Sequence, residues 1–536
     1  MYLHKRRARN STVYYLCKTG RKNGKPTIVW QQYLGTAEKI GEIMKQYKNM
    51  DHIKFTTYPY GKLAAFLAVN EELDFVNTVN RHTVKRPIDG LTVGEYMLLI
   101  VLNRLTKPSS KSRLGRWFNN TFLKLAWEFD HKLNEQNFWK HMKRLDEKAI
   151  ENIELDISKT LLSKGIVPEY IIFDTTNFFT HMQEGSLQRK GKSKDSKDNK
   201  NLLGFGLAVS QDNIPFVHRL YEGNKHDSRV FTTLVDRIMA VLKAASFDTG
   251  RLVAVFDKGN NSEENINSLK MSFVGSLQRR QVKELLDIPL GSYERLYVNR
   301  KGHVFYGYRT KKTVFGREYT VVAVYNEHTY RKEKVRFEKE LEKARGSLGK
   351  LKPRKRRYDA FVKAIEKSIP KGVRSVVRYR VTGKGRLSVE WWIDENRKAE
   401  MEKGFGKTIL FTDMDNWDTA SIVKTYNSKY ILEDDFKLLK DRLVIPVPPV
   451  WHRIEEMQRV HVFLCVIGLL FLRYLLYRCR EFNLGRDELL EELERIRIGI
   501  IKDKNRGKVG IVFEQMSILQ ARLIGLLNLG IYAEQI

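Results

Sequence analysis

The period of the apolar positions changes several times along the chain. Near the N-terminus, residues 12–17 and 27–33 are rich in β-formers around an Asn23-Gly24 turn signal, which predicts a β-hairpin. Over 36–165 the spacing is helical. Thr92-Val93-Gly94-Glu95 has the form of a capping box, an apolar run follows over 96–105, Pro108-Ser109-Ser110 ends it, and 122–129 and 150–162 are amphipathic. From residue 170 the pattern turns to strands. Tyr170-Ile171-Ile172-Phe173-Asp174 is an apolar run ending in an acid. Strands follow at 202–210 and 214–221, a helix at 227–244, a second apolar strand Leu252-Val253-Ala254-Val255-Phe256-Asp257, a helix at 261–271 and a short strand at 272–276. The order β-β-β-α-β-α-β predicts a mixed α/β sheet, with both acids at carboxyl ends of strands, where open α/β sheets place their sites.

Residues 277–407 interrupt this pattern. They alternate as strands at 297–308 and 319–325, become a highly charged helical stretch at 331–367, and return to strand near 375–392. Residues 426–440 are helical, and Pro446, Pro448 and Pro449 end that regularity. A long helix is expected over 451–480 and further helices to the C-terminus. The expected organisation is a basic β-hairpin arm (1–35), a helical N-terminal domain (36–165), an α/β domain in two parts (166–276 and 408–480), an insertion subdomain (277–407) and a helical tail (481–536).

Composition narrows the class. At 536 residues the chain exceeds one ordinary core, and two to four structural units are expected. Hydrophobic residues make up 42% and aromatics 11%, enough for packed cores. The formal charge of +33 favours a polyanionic partner, nucleic acid first and an anionic membrane surface second. Cys17, Cys465 and Cys479 form no CxxC pair, which leaves zinc and disulfide frameworks unsupported and fits a reducing compartment. The N-terminus has no signal-peptide core, and the longest apolar run, 462–472, is too short to span a bilayer. The expectation is a soluble intracellular protein.

The candidate chemistry starts in 426–440. At 3.6 residues per turn Tyr426, Lys429, Glu433, Lys437 and Lys440 share one helix face, so a single carboxylate sits in a row of cations. An isolated helix with this pattern is a solvated face with ordinary ion pairs. Asp174 and Asp257 change the picture: two strand-end aspartates and a helix glutamate can converge on a pair of divalent ions, and hard oxygen ligands suit magnesium or manganese. The cationic loop of Arg189, Lys190 and Lys192, which runs on to Lys197, follows soon after Asp174 and is expected to be mobile and close to phosphate, or else a disordered surface loop. The basic run Lys352-Pro353-Arg354-Lys355-Arg356-Arg357 is a DNA clamp or a solvated helix pair, and the overall charge favours DNA. The N-terminal hairpin is equally a phosphate tracker or a solubilising edge. Two patterns carry no function. Gly404-Phe405-Gly406-Lys407-Thr408 lacks the first glycine of a P-loop, because position 401 is methionine, and Asp413, Asp415 and Asp418 lack the glycine and final glutamate of a calcium loop.

Taken together, the motifs resemble the DDE transposases of prokaryotic insertion sequences, in the group with the YREK signature. Tyr426, Lys429, Glu433 and Lys440 keep its spacing, with lysine where the family has arginine, so the charge stays and the bidentate fork is lost. Phe173-Asp174-Thr175-Thr176 is similar to the family's first block and Phe256-Asp257-Lys258-Gly259 to its second, and Gly223-Asn224-Lys225-His226-Asp227 matches the piece between them. The resemblance implies an RNase H-like catalytic domain that cleaves element ends and transfers the freed 3′-hydroxyl to target DNA. It implies Asp174, Asp257 and Glu433 as ligands of two Mg2+ ions (Mn2+ substituting), and Tyr426, Lys429 and Lys440 as DNA contacts, to which Lys437 and the loop cations are added. Thr175, Asn224 and Asp227 are expected to support the site, with His226 a loop histidine and His461 a satisfied core histidine. Double-stranded DNA is the implied partner, with a homodimer on paired ends, no membrane, and a cytoplasmic, nucleoid-associated location. A catalytically silent DNA-binding relative and a nuclease without strand transfer are the competing expectations.

Overall fold

The computed structural model describes residues 1–8, 11–22, 25–46, 53–83, 90–127, 133–195, 197, 199–352, 357–383, 385–503 and 507–536. In chain order, β1 (Tyr2–Ala8), β2 (Ser11–Lys22) and β3 (Lys25–Thr36) form an antiparallel sheet of their own. The expected hairpin therefore gains a first strand, since the basic N-terminal run is itself paired, with Leu3 opposite Leu16 and His4 opposite Tyr15. The Asn23-Gly24 turn lies outside the described residues. Next come β4 (Ile53–Pro59) and the helices α1 (Gly61–Leu73), α2 (Val93–Thr106), α3 (Glu135–Met142) and α4 (Glu147–Ser163). The capping box opens α2: the Thr92 hydroxyl accepts from the Glu95 amide, and the Glu95 carboxylate accepts from the Thr92 amide at 2.6 Å.

The predicted alternation follows as β5 (Tyr170–Thr180), β6 (Arg189–Lys190), β7 (Asn201–Ser210), β8 (Pro215–Glu222), α5 (Asp227–Ala244), β9 (Val253–Phe256), α6 (Glu263–Ser268) and β10 (Ser272–Ser276). After it come β11 (Glu294–Val298), β12 (Val304–Val314), β13 (Arg317–Asn326), α7 (Glu327–Gly349), α8 (Tyr358–Ser368), β14 (Val377–Thr382), β15 (Ser388–Ile393) and β16 (Lys407–Thr412). The chain continues through α9 (Thr419–Asn427), α10 (Tyr430–Lys440), α11 (Glu455–Arg478), β17 (Arg497–Asp503) and β18 (Gly507–Phe513).

The central feature is one mixed, ten-stranded sheet in the order β11-β12-β13-β16-β10-β9-β5-β7-β6, with β8 beside β7. β9 runs parallel to β5 and β10, and the other pairs are antiparallel. The α/β class read from the sequence holds. The stretch 277–407 divides in two: β11 to β13 extend the main sheet, while α7, α8 and the β14–β15 hairpin surround a second core of Phe337, Leu341, Phe361, Ile365 and Val377. Residues 353–356 of the basic run lie outside the described residues.

Four expectations need correction. Region 36–165 is not all-helical, because β4 pairs with β17, placing Tyr58 opposite Ile498. The tail is not all-helical either, since β17 and β18 form a hairpin that β4 extends to three strands. β4 is completed by a partner more than 400 residues away, which no local pattern discloses, whereas β17 and β18, adjacent in the chain, pair with each other. Third, β5 runs on through Thr175-Thr176-Asn177-Phe178-Phe179-Thr180, so Asp174 lies within a strand and not at its end. Those residues are β-branched or aromatic and pair with β7 as far as Asn201. Fourth, α11 has 24 residues and is apolar and long enough to cross a membrane, although the apolar run inside it is shorter. Its most apolar window is 89% buried in protein, and it packs as a central core helix.

Packing around the sheet centre is tight. A Cβ built on Gly275 would lie 2.6 Å from Phe411 and 2.7 Å from Phe256, both ring atoms of neighbouring strands. Gly275→Ala is expected to cost about 1–3 kcal/mol by overpacking, read as a lower melting temperature in calorimetry. An unchanged melt would mean that these rings yield freely.

Candidate active site

The parallel register of β5, β9 and β10 builds the site. Phe173 aligns with Phe256, and Phe256 with Gly275. The next residue on each strand is Asp174, Asp257 and Ser276, so the three polar groups stand side by side, one strand spacing apart. Ser276 donates to Asp257 Oδ1 at 2.7 Å, and the Lys258 amide donates to the same oxygen at 2.8 Å. On Asp174, Oδ1 accepts the Thr175 amide at 2.7 Å.

The motif helix closes one side. Residues 426–440 are not one helix: α9 ends at Asn427 and α10 begins at Tyr430, with short turns through Ser428 and Lys429 between them. The break matters because it aims Tyr426 and Lys429 together at Asp257. Tyr426 Oη donates to Asp257 Oδ1 at 3.0 Å, Lys429 Nζ donates to Tyr426 Oη at 2.8 Å, and Lys429 Nζ lies 3.3 Å from Asp257 Oδ2. At the far end of α10, Lys440 Nζ donates to Thr176 Oγ1 at 2.7 Å and pairs with Asp195 at 2.6 Å. Arg473 of α11 holds Asp434 and the fully buried Asp435 on the opposite side, which fixes the rotation of α10.

Charge decides how the two aspartates behave. Burial pushes Asp174 up to about 6; Lys194 and the Thr175 amide pull it back, and the neighbouring Asp257 pushes it further up. Burial also opposes ionisation of Asp257, but Lys429 and the hydrogen bonds from Ser276, Lys258 and Tyr426 outweigh it and hold the carboxyl down at about 2. The same surroundings push Tyr426 up to about 12, burial first, so its hydroxyl stays a donor. Asp257 is thus a permanently charged, firmly oriented carboxylate beside one whose charge is costly.

The remaining expected residues fall into three groups. Thr175 is buried, and Lys194 Nζ donates to its carbonyl at 2.6 Å and its hydroxyl at 2.9 Å. Arg189 and Lys190 are exposed on β6. Lys192 is exposed too, and its carbonyl accepts from Asn177 of β5. The loop expected to be mobile is therefore tied to β5, because Asn177 also accepts the Lys194 amide at 3.1 Å. Glu433 and Lys437 are exposed on α10, between the anchored Lys429 and Lys440. Among the described residues, no group of three His, Cys, Asp or Glu side chains is close enough to hold a metal ion; the structure sets Asp174 and Asp257 on adjacent strands. Asn224 is exposed in the turn before α5; Asp227 opens α5, and its side chain lies outside the described residues. His226 offers no side-chain cap to that helix, and buried His461 contacts the Val447 carbonyl at 3.1 Å.

Asn177 and Ser276 belong to the site and were missed by sequence reasoning, and Lys194 and Asp195 were read only as part of the cationic loop. Of the two missed residues, Ser276 left a signal: it ends an apolar strand just as Asp257 follows one. No family model matches the chain, and no curated protein matches it.

Proposed function

We propose that this chain is a DNA strand-cleaving and strand-transferring enzyme, a DDE-type transposase of an insertion sequence. The observation that carries the reading is the in-register pair Asp174 and Asp257, with Tyr426 and Lys429 bound to Asp257 and Lys440 bound beside the strand that carries Asp174. Residues from three separated motifs contact one another there, which supports the reading. Support for an RNase H-like sheet comes from the strand order β8-β7-β5-β9-β10, antiparallel through β5 and parallel beyond it.

The donor set fits divalent metal. Two adjacent carboxylates, one pushed up to about 6 by burial and by its neighbour, are stabilised together only by added positive charge. Asp174 and Asp257 would hold it, with Glu433 the third ligand that the resemblance implies. Two Mg2+ ions, or Mn2+, would there supply Lewis acidity and charge neutralisation for an in-line displacement at phosphorus. The chain's own groups do the rest. Ser276, Tyr426 and the Lys258 amide orient Asp257. Lys429 and Lys194 neutralise the acids and are placed to turn toward phosphate oxygens. Lys440, Lys437 and the exposed cations Arg189, Lys190 and Lys192 hold the strand by charge, without reading its sequence. The double-stranded DNA partner, the dimer on paired ends and the cytoplasmic, nucleoid-associated location belong to the same proposal.

The test uses DNA carrying the matched inverted repeats expected around the gene. Purified protein with Mg2+ is expected to nick at the repeat ends and to give joined products, and a chelator is expected to stop both. Cleavage without joining would point to a nuclease, and repeat binding without cleavage to a silent relative. Binding is expected to weaken at least tenfold from low to physiological salt, because several lysines release counterions. Affinity flat in salt would sink the nucleic-acid reading.

A further inference from the structure

A cavity of about 550 Å³ lies between the N-terminal helices and the Pro446–Trp451 segment. The segment is fixed to the sheet, since Thr180 at the end of β5 donates to the Val450 carbonyl at 2.6 Å. The length of β5 from Asp174 to Thr180 sets the cavity about 20 Å from the acid pair, so it is a separate place. Its wall is cationic. Lys111 Nζ lies 3.2 Å from His452 Nε2, Arg104 donates to the Pro446 carbonyl at 3.1 Å, and exposed Arg442 stands at the rim. One carboxylate, Glu135, shares the lining. An exposed indole, Trp451, lies beside these cations and is stacked against His181 with centroids 5.1 Å apart.

We propose that this cavity binds a nucleotide phosphate, with Lys111, Arg104 and Arg442 taking the oxyanion and Trp451 bordering the base. Lys111 is a half-buried ammonium whose hydrogen-bond partner is an imidazole and not an acid. Burial and the nearby Arg104 pull it down to about 7, and the same two cations help hold His452 down at about 3, after burial. Such a cluster is under-neutralised, and a bound dianion supplies the missing charge. The volume suits one nucleotide. A flat ring beside cations suits a base next to its phosphate, because stacking tolerates any base. The phosphate has two possible sources, a free nucleotide or a unit of a DNA strand. The strand source rests on the function proposed above, and the free source does not.

The full chain is titrated at low salt with inorganic phosphate, thymidine 5′-monophosphate and a short duplex, using calorimetry. Wild type is run beside Lys111→Gln, Trp451→Ala and Arg442→Gln, the last at an exposed position that leaves folding intact. For a free nucleotide, wild type binds the monophosphate better than inorganic phosphate; Lys111→Gln weakens it about tenfold, and Trp451→Ala removes the preference. For a strand, the monophosphate gives no heat, and duplex affinity falls about tenfold in Lys111→Gln with a salt slope lower by about one. Equal affinities of wild type, Lys111→Gln and Arg442→Gln for every probe, or no heat with any probe, overturn the proposal. Tight duplex binding unaffected by these variants overturns it while leaving the DNA function intact. Monophosphate binding without any duplex binding does the reverse.

Discussion

Asp174→Asn is expected to abolish metal-dependent nicking, by about a thousandfold or more, while leaving DNA binding within about twofold of wild type. The amide keeps an oxygen for the Thr175 amide, so β5 and its pairing with β9 are undisturbed. What disappears is the negative charge beside Asp257. In the chain without metal that charge is a burden, since burial and the like charge of Asp257 both oppose it. The variant is therefore expected to melt at the same temperature as wild type or higher, the usual mark of a group kept for function at a cost in stability. Nicking at the wild-type rate would remove Asp174 from the chemistry. A lower melting temperature would mean that its charge is structural.

Glu154→Ala is expected to cost about 3–5 kcal/mol of stability, more than the overpacking at Gly275. Glu154 on α4 is 5% exposed, pairs with His218 of β8, and accepts from Arg237 of α5 at 2.6 Å. Three elements meet on this one carboxylate, which ties the N-terminal helices to the sheet. Its removal leaves the buried His218 imidazole without its acid and the Arg237 guanidinium with Glu151 alone. Burial opposes the charge of Glu154, but His218 and Arg237 outweigh it and lower its pKa below the ordinary glutamate value. A carboxyl lowered on folding contributes its full stabilisation above the unfolded value, about 4.3, and loses it as pH falls from there toward the folded value. Wild type is thus expected to lose stability on acidification through that window, and Glu154→Ala to show a flatter acid limb. Chemical denaturation at a series of pH values measures both. A variant as stable as wild type would show that the helices are held by apolar packing alone.

Much of the central sheet was legible because its strands are defined by their own residues. Val253-Ala254-Val255-Phe256 has no polar position, so its burial on both faces and its acid at the end could be read directly. The helix at Asp227–Ala244 was legible for a similar reason, a long apolar stripe at one period. The strand at Ile53–Pro59 was not. Its residues, Ile-Lys-Phe-Thr-Thr-Tyr-Pro, form a short edge that exists through pairing with Arg497–Asp503. The site divides the same way. Tyr426, Lys429 and Lys440 were visible through their spacing, but the break at Ser428 was not, since helical periodicity passes straight through it. Lys194 was hidden among the other cations of its loop until Asn177 fixed the loop to β5.

Taken alone, the sequence determined which residues are apolar, which apolar runs carry an acid, and how large the net positive charge is. These are properties of single residues and short windows, and they survive any arrangement of the rest. Tertiary structure decided that Asp174 and Asp257 are neighbours, that Ser276 joins them, and that Glu433 is exposed on α10. Those outcomes follow from the register of parallel strands and from the rotation of α10 set by Arg473, and both depend on contacts between residues that are distant along the chain.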